Sequence, residues 1–170
     1  MANVDFPHGF PSVGSLDGRP GYFRNYDHAA ADATAIGFND LVERAAAGTT
    51  CVQASAGGPF LGISNANGAV STLYTVPVEI LTAATIVEGQ TDLSLAAADV
   101  GLNADVLVAA RNADTGISNM EVNSATEATT NTLDLRLLRL APYTDNAAGT
   151  NSRLFCIVND VGIGDLKAGV

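Results

Sequence analysis

Four groups of residues in this chain have types and spacings that could do chemistry. Gly62-Ile63-Ser64 and Gly116-Ile117-Ser118 begin like the Gly-x-Ser-x-Gly turn that presents a nucleophilic serine. Their fifth positions are Ala66 and Met120, where that strained turn needs glycine. The only histidines, His8 and His28, lie in or beside an irregular N-terminal stretch. A triad histidine must be held rigidly between serine and carboxylate, so a serine hydrolase is not expected. His28 with Asp27 and Asp32 is the nearest approach to a metal set, but one histidine with flanking acids reads as a solvated loop. Cys-x-x-Cys, His-x-x-x-His and calcium-loop spacings are all missing. Glu121 with Glu127, or Asp99 with Asp105, would supply a glycosidase's paired carboxylates, yet almost any acidic chain offers such pairs. Gly162-Ile-Gly164-Asp165-Leu-Lys167 looks like a phosphate cradle, but no helix follows it and it reads as a frayed tail. The expectation is a protein with no catalytic residues, no metal and no cofactor, whose work is binding or structure.

The elements that would position any site are strands. The runs 74–81, 105–110 and 117–122 have β-branched content and strand length, and 132–140 and 153–158 also read as strands. Leu133, Leu135 and Leu137 alternate with Asp134 and Arg136, and the phase then shifts at Leu138, as at a β-bulge. Pro77 within a strand implies an edge position or a bulge. Turn chemistry separates the runs at 57–59, 65–68, 112–114, 145–146 and 159–160. Two stretches compete with this pattern. Asp40-Leu-Val-Glu43 is a capping box leading to Gly48, locally a helix of two turns, and residues 92–99 read as a helical turn. The fold class is all-β: a small β-barrel or β-sandwich with an extended N-terminal arm and one or two short helical turns.

Residues 1–21 differ from the rest. Pro7, Gly9, Pro11, Gly14, Gly18, Pro20 and Gly21 interrupt any helix or central strand, while Phe6, Phe10, Val13 and Leu16 are too apolar for a solvated linker. Five of the ten aromatics (Phe6, Phe10, Tyr22, Phe23 and Tyr26) fall within the first 26 residues. Such a segment is expected to dock, either on a partner or along its own domain, and to add little to the β core. The organisation expected is an arm at 1–21, a single β domain at 22–160 and a tail at 161–170. Candidate contact residues for a partner are Phe6, Phe10, Pro11, Arg19, Tyr22 and Arg24.

Composition narrows the partners. The 170 residues carry 18 acids and 8 bases, for a net charge of −10, and Lys167 is the only lysine. A polyanion is repelled by phosphate backbones and anionic lipid, which argues against nucleic-acid or membrane binding. Only 15% of residues are charged against a usual proportion of about 25%. Cys51 and Cys156 sit in apolar strand-like contexts and are expected to be buried, reduced thiols, consistent with synthesis in a reducing cytoplasm.

In the order of its short motifs the chain resembles the capsid decoration, or cement, proteins of tailed phages. The likeness is carried by the apolar arm with Gly21-Tyr22-Phe23-Arg24, Ala35-Ile36-Gly37-Phe38-Asn39-Asp40-Leu41-Val42 and Phe60-Leu61-Gly62-Ile63-Ser64. It continues through Val76-Pro77-Val78, Val100-Gly101-Leu102-Asn103-Ala104-Asp105, Thr115-Gly116-Ile117-Ser118, Leu137-Leu138-Arg139-Leu140 and Asn159. Where that family commonly has Gly-Asp-Leu-Val, this chain has Phe38-Asn39-Asp40-Leu41-Val42, with the glycine displaced. The resemblance implies a strand over residues 41–46 in place of the helix. It also implies a structural protein on the outer surface of an icosahedral head, bound to the major capsid protein and to itself as a homotrimer, or alternatively a dimer. A carbohydrate-binding β-sandwich module on a virion surface is the reading from another class. It would have to use the early aromatics, because the chain has no tryptophan.

Overall fold

The computed structural model describes residues 3–28, 32–45, 50–70, 73–159 and 161–162, which form an all-β protein of two sheets. The strands are β1 (Ser12–Ser15), β2 (Tyr22–His28), β3 (Leu41–Arg44), β4 (Thr50–Gln53), β5 (Gly62–Ser64) and β6 (Thr75–Ile80). They continue as β7 (Thr85–Gln90), β8 (Asn103–Leu107), β9 (Glu121–Ala128), β10 (Leu135–Leu140) and β11 (Arg153–Val158). β2-β4-β3-β5-β6 close into a barrel, and the other six form a sheet in the order β1-β7-β11-β10-β8-β9. The sequence expectation of a small barrel or sandwich is met by a barrel with a second sheet packed on it. The helical content at 92–99 is a single 3-10 turn, Ala97–Asp99. Among the described residues no helix is long and apolar enough to cross a membrane.

Period-two patterning explains both cores. Successive strand residues point to opposite faces, and β6 sends Val76, Val78 and Ile80 into the barrel beside Tyr26, Ile36, Val42, Cys51 and Leu61. The sheet contributes Ala104 and Val106, Leu135 and Leu137, then Leu154, Cys156 and Val158 to a second cluster. Leu41, Phe60 and Ile63 of the barrel belong to that second cluster, so the barrel wall is the surface on which the sheet packs. Leu41 and Val42, adjacent on β3, therefore serve different cores.

Several expectations are met and others corrected. β11 occupies 153–158 as read, and β10 carries a register irregularity between Leu137 and Arg139, where the phase shift at Leu138 placed a bulge. Pro77 sits at a local edge. It pairs with Asn25 on β2, while the β5 ladder ends at Ser64↔Val78 and only the Pro77 carbonyl is used on that side, by the Asn65 N–H. The strand read at 117–122 starts only at Glu121, because Ile117 and Ser118 instead bond the Phe38 segment. The capping box at Asp40 makes no helix. Leu41–Arg44 gains ladders to both β4 and β5, which outweigh a two-turn helix of little intrinsic stability. Asp40 turns back to the Gly37 N–H and Gln53, and Glu43 accepts from Ser55 across the sheet. Ala46, the last residue of the implied strand, lies outside the described residues.

The largest correction concerns the arm. Its Pro and Gly content does not keep it out of the sheet: β1 pairs antiparallel with β7, with a register irregularity between Ser12 and Gly14. Phe10 is fully buried in the sheet cluster and lies against Gly89, whose missing side chain makes room for its ring. A short edge strand with a break in register is how so irregular a sequence joins a sheet.

Candidate functional site

The N-terminal face is built from the arm upward. Asn3 is clamped on the 147–150 loop, donating to the carbonyls of Ala147 (2.9 Å) and Thr150 (2.8 Å) and accepting from the Ala147 N–H. Gln90, at the end of β7, holds the next residues from both sides of its amide. The Phe6 N–H donates to Gln90 Oε1 and Gln90 Nε2 donates to the Val4 carbonyl, each at 3.1 Å. Further along, Asn39 Nδ2 donates to the His8 carbonyl and the Phe10 N–H to the Asn39 carbonyl. Gly9 adopts a φ of +71°, and a Cβ there would overlap the Asn39 carbonyl and Ser118, so this crossing requires glycine.

A polar network lies under this segment. His8 Nε2 is 3.5 Å from Glu88 Oε1, and the Tyr143 hydroxyl donates to Glu88 Oε2 at 2.6 Å. Arg153 places its guanidinium 4.3 Å from the centre of the Tyr143 ring and pairs with Asp145 at 2.7 Å. The bond to Glu88 raises the His8 pKa above its ordinary value, against the opposing effect of burial. Burial pushes Glu88 up, but the bonds from His8 and Tyr143 prevail and hold it below the usual carboxylate range. A small cavity of about 80 Å³ is lined by Val4, Phe6, His8, Gln90, Asp145 and Arg153.

The six candidate contact residues divide. Phe6 is 62% exposed and Tyr22 67% exposed, and Arg19 and Arg24 are also at the surface. Phe10 is a core residue and cannot meet a partner, which corrects its assignment. Pro11 is half-buried, with its carbonyl accepting from the Glu88 N–H. Arg19 is paired with Asp17 at 3.4 Å, and Arg24 lies 5.7 Å from the centre of the Tyr26 ring. Tyr22, Arg19, Asp17 and Glu79 rim a groove of about 560 Å³ whose floor is made of small residues from 12–15 and 82–85. It follows the seam where the chain crosses between barrel and sheet. Val13, Leu16 and Phe23, noted in the sequence as apolar but not among the candidate contacts, are exposed on the same 20-residue stretch, as is Val4, which the sequence reading missed. It also missed Gln90, Asn39 and Glu88, because no local signal marks a side chain that receives a segment far away in sequence.

The residues singled out for chemistry are not gathered into a site. Ser64, Ser118 and His28 are fully buried. The hydroxyls of Ser64 and Ser118 accept from the Ala66 and Met120 N–H groups, which is local turn chemistry. His28 stacks 4.8 Å from Tyr74 and lies 3.4 Å from Asp32, inside the barrel end and not in a solvated loop. Among the described residues no group of three or more His, Cys, Asp or Glu is arranged to hold a metal ion. Glu121 and Glu127 both lie on β9, six residues apart, hence about 20 Å apart at the strand rise and beyond the reach of a glycosidase pair. Asp99 lies in the 3-10 turn and Asp105 on β8. The phosphate-cradle candidate falls beyond Gly162, outside the described residues.

Asp40 and Glu121 have pKa values raised well above the carboxylate range. Burial raises Asp40 to about 6, although the Gly37 N–H and Gln53 pull it down, and its Oδ1 has no hydrogen-bond partner among the described residues. Burial raises Glu121 to about 7, helped by the charges of Asp5 and Asp92. Asp40 lies beside the Ser118 hydroxyl, but both are fully buried, and neither Asp40 nor Glu121 lines a described cavity. What the arrangement offers is an N-terminal stretch, residues 4–24, that exposes aromatic and apolar side chains and two arginines. No family model matches the chain, and no curated protein and no solved structure is significantly similar to it.

Proposed function

We propose that this chain is a structural protein of a tailed-phage head, a decoration or cement protein that binds the outer surface of the shell through its N-terminal face and stabilises it. The observation that carries this reading is where its apolar surface lies. Val4, Phe6, Val13, Leu16, Tyr22 and Phe23 are six of the eleven exposed large hydrophobics among the described residues. Scattered exposed apolar residues are normal, but their concentration with aromatics and arginines along one stretch of chain has the composition of an interface. Arg19 and Arg24 on a chain of net charge −10 add local positive charge there. The partner proposed is the major capsid protein, presenting apolar surface with acidic groups for the two arginines. Copies of this chain would meet as a homotrimer at threefold positions, with a dimer at twofold positions as the alternative. An acidic protein is suited to the outside of a shell, away from packaged DNA. The reading assigns no reaction and no cofactor.

The test is co-sedimentation with heads stripped of decoration, comparing wild type with a Phe6→Ala, Tyr22→Ala, Phe23→Ala variant, each with a thermal melt. Binding by wild type and loss of occupancy with an unchanged melt are expected for the variant. Full occupancy by the variant would overturn the docking face, and no binding by wild type at micromolar concentration would overturn the function.

A further inference from the structure

We propose that residues 3–8 form a pH-controlled latch, seated on the sheet in mildly acidic solution and released as the pH rises past neutrality. The latch does not depend on what the protein binds. Its geometry separates it from the rest of the arm. Phe10 is buried and Gly9 is a left-handed hinge, so the chain is anchored from residue 10 onward. Before the hinge no large hydrophobic is buried: Val4 is 71% and Phe6 62% exposed, and only Pro7 is half-buried. The segment is held mainly by polar contacts. These are the Asn3 clamp, the two Gln90 bonds, the Asn39 bond to the His8 carbonyl and the His8–Glu88 pair.

Titratable groups face the segment from each element beneath it. Glu88 of β7 and Tyr143, Asp145 and Arg153 surround His8. Glu121 of β9 and Asp92, just past β7, face Asp5 closely enough for their charges to act on one another. Asp40 lies under the inner end, in the turn that bonds Gly9's neighbours.

The His8–Glu88 pair sets the direction. As the pH rises, Glu121 ionises near about 7 and adds a third negative charge beside Asp5 and Asp92, while attracting His8 only for as long as His8 keeps its proton. Because the His8 pKa is raised, the stability that its pair with Glu88 contributes is complete below the ordinary histidine value and is lost as the pH rises through the raised one. Asp40 is already a desolvated carboxylate by then. Glu88, whose pKa is lowered, works the other way on the acid side, where its protonation would break the same pair. The latch is therefore closed over a window bounded by Glu88 below and by His8 with Glu121 above.

The experiment is the backbone heteronuclear NOE of the nitrogen-15-labelled full chain at about pH 5.5 and about pH 8, values that bracket the histidine range. At the lower pH the amides of Asp5, Phe6 and His8 are expected to match those of Val87 and Cys156 in the sheet. At the higher pH they lose their NOE while the sheet amides keep theirs. A His8→Gln, Glu121→Gln double variant, altering only surface-facing or half-buried groups, is expected to lose this dependence. A segment equally rigid or equally flexible at both values would overturn the proposal. So would a double variant that keeps the wild-type transition.

Discussion

Ser64 and Ser118 grip the same short turn. The Asn39 N–H donates to the Ser64 carbonyl and the Ser64 N–H to the Asp40 carbonyl, both at 2.9 Å. The Ser118 N–H donates to the Phe38 carbonyl at 2.9 Å, and the Phe38 N–H to the carbonyl of Gly116 at 2.8 Å. The repeated Gly-Ile-Ser-Asn sequence is thus two backbone segments reading one turn, and the turn in turn receives His8 and Phe10 of the arm. Asn39 itself has a φ of +69°, a left-handed conformation that asparagine tolerates better than most residues. Asn39→Ala should lower stability by about 1–3 kcal/mol through strain and loss of the bond to the His8 carbonyl, read by urea denaturation.

Phe10 supplies the second prediction. Its fully buried ring makes it part of the sheet core, so Phe10→Ala should cost about 3–5 kcal/mol of unfolding free energy. Deleting residues 1–21 removes Phe10 together with β1 and should cost more, lowering the melting temperature. An unchanged melt after deletion would restore the reading of the arm as a dispensable appendage.

Asp40 makes stability depend on pH in an unusual direction for a carboxylate. Its folded pKa of about 6 lies above the unfolded value, so the unfolded chain ionises first as the pH rises. Its contribution therefore declines between about pH 4 and about pH 6 and stays low above that, by at most about 3 kcal/mol. Asp40→Asn keeps one oxygen to accept from Gly37 and Gln53 and removes the charge. The difference in stability between variant and wild type should grow in the variant's favour from about pH 4 to about pH 7, measured by urea denaturation at each pH. A difference independent of pH would show that Asp40 has the same pKa in the folded and unfolded chain.

The thiols give a fourth prediction. Cys51 belongs to the barrel interior and Cys156 to the sheet cluster, both buried and unbridged. Burial pushes the Cys51 thiol up to about 11 and raises Cys156 further above its ordinary value. A maleimide reagent at neutral pH should label neither until the protein unfolds, because neither thiolate nor access is available. Rapid labelling of the native protein would contradict this.

Legibility in the sequence followed the locality of the cause. β11 and the β10 bulge could be read because the alternation through Leu135, Leu137, Leu154 and Cys156 is written in adjacent residues. Leu41–Arg44 could not be read from its own sequence, since its capping box is a valid helix start overruled by two distant ladders. Phe10 was misassigned for the same reason: the notch at Gly89 that accepts it lies on β7. The exposure of Phe6 and Tyr22 matched the interface composition that singled them out, while Gln90 and Asn39 carry no local mark of the clamps they make.

The barrel occupies the stretch of chain between two neighbouring strands of the sheet, since β1 precedes it, β7 follows it, and Ser15 pairs with Thr85. Everything from β2 to β6 can find its partners as soon as it leaves the ribosome. β1 cannot, because its only strand partner among the described residues is made after the whole barrel. β1 should thus be placed only after every barrel strand has been made, closing a loop that spans residues 16–84. Because the barrel is already compact when that happens, the ends to be joined are held close, and the entropy of closure is much smaller than that of a free loop of the same length. An insertion that loosened the barrel should slow the docking of β1 more than it slows any other step of folding.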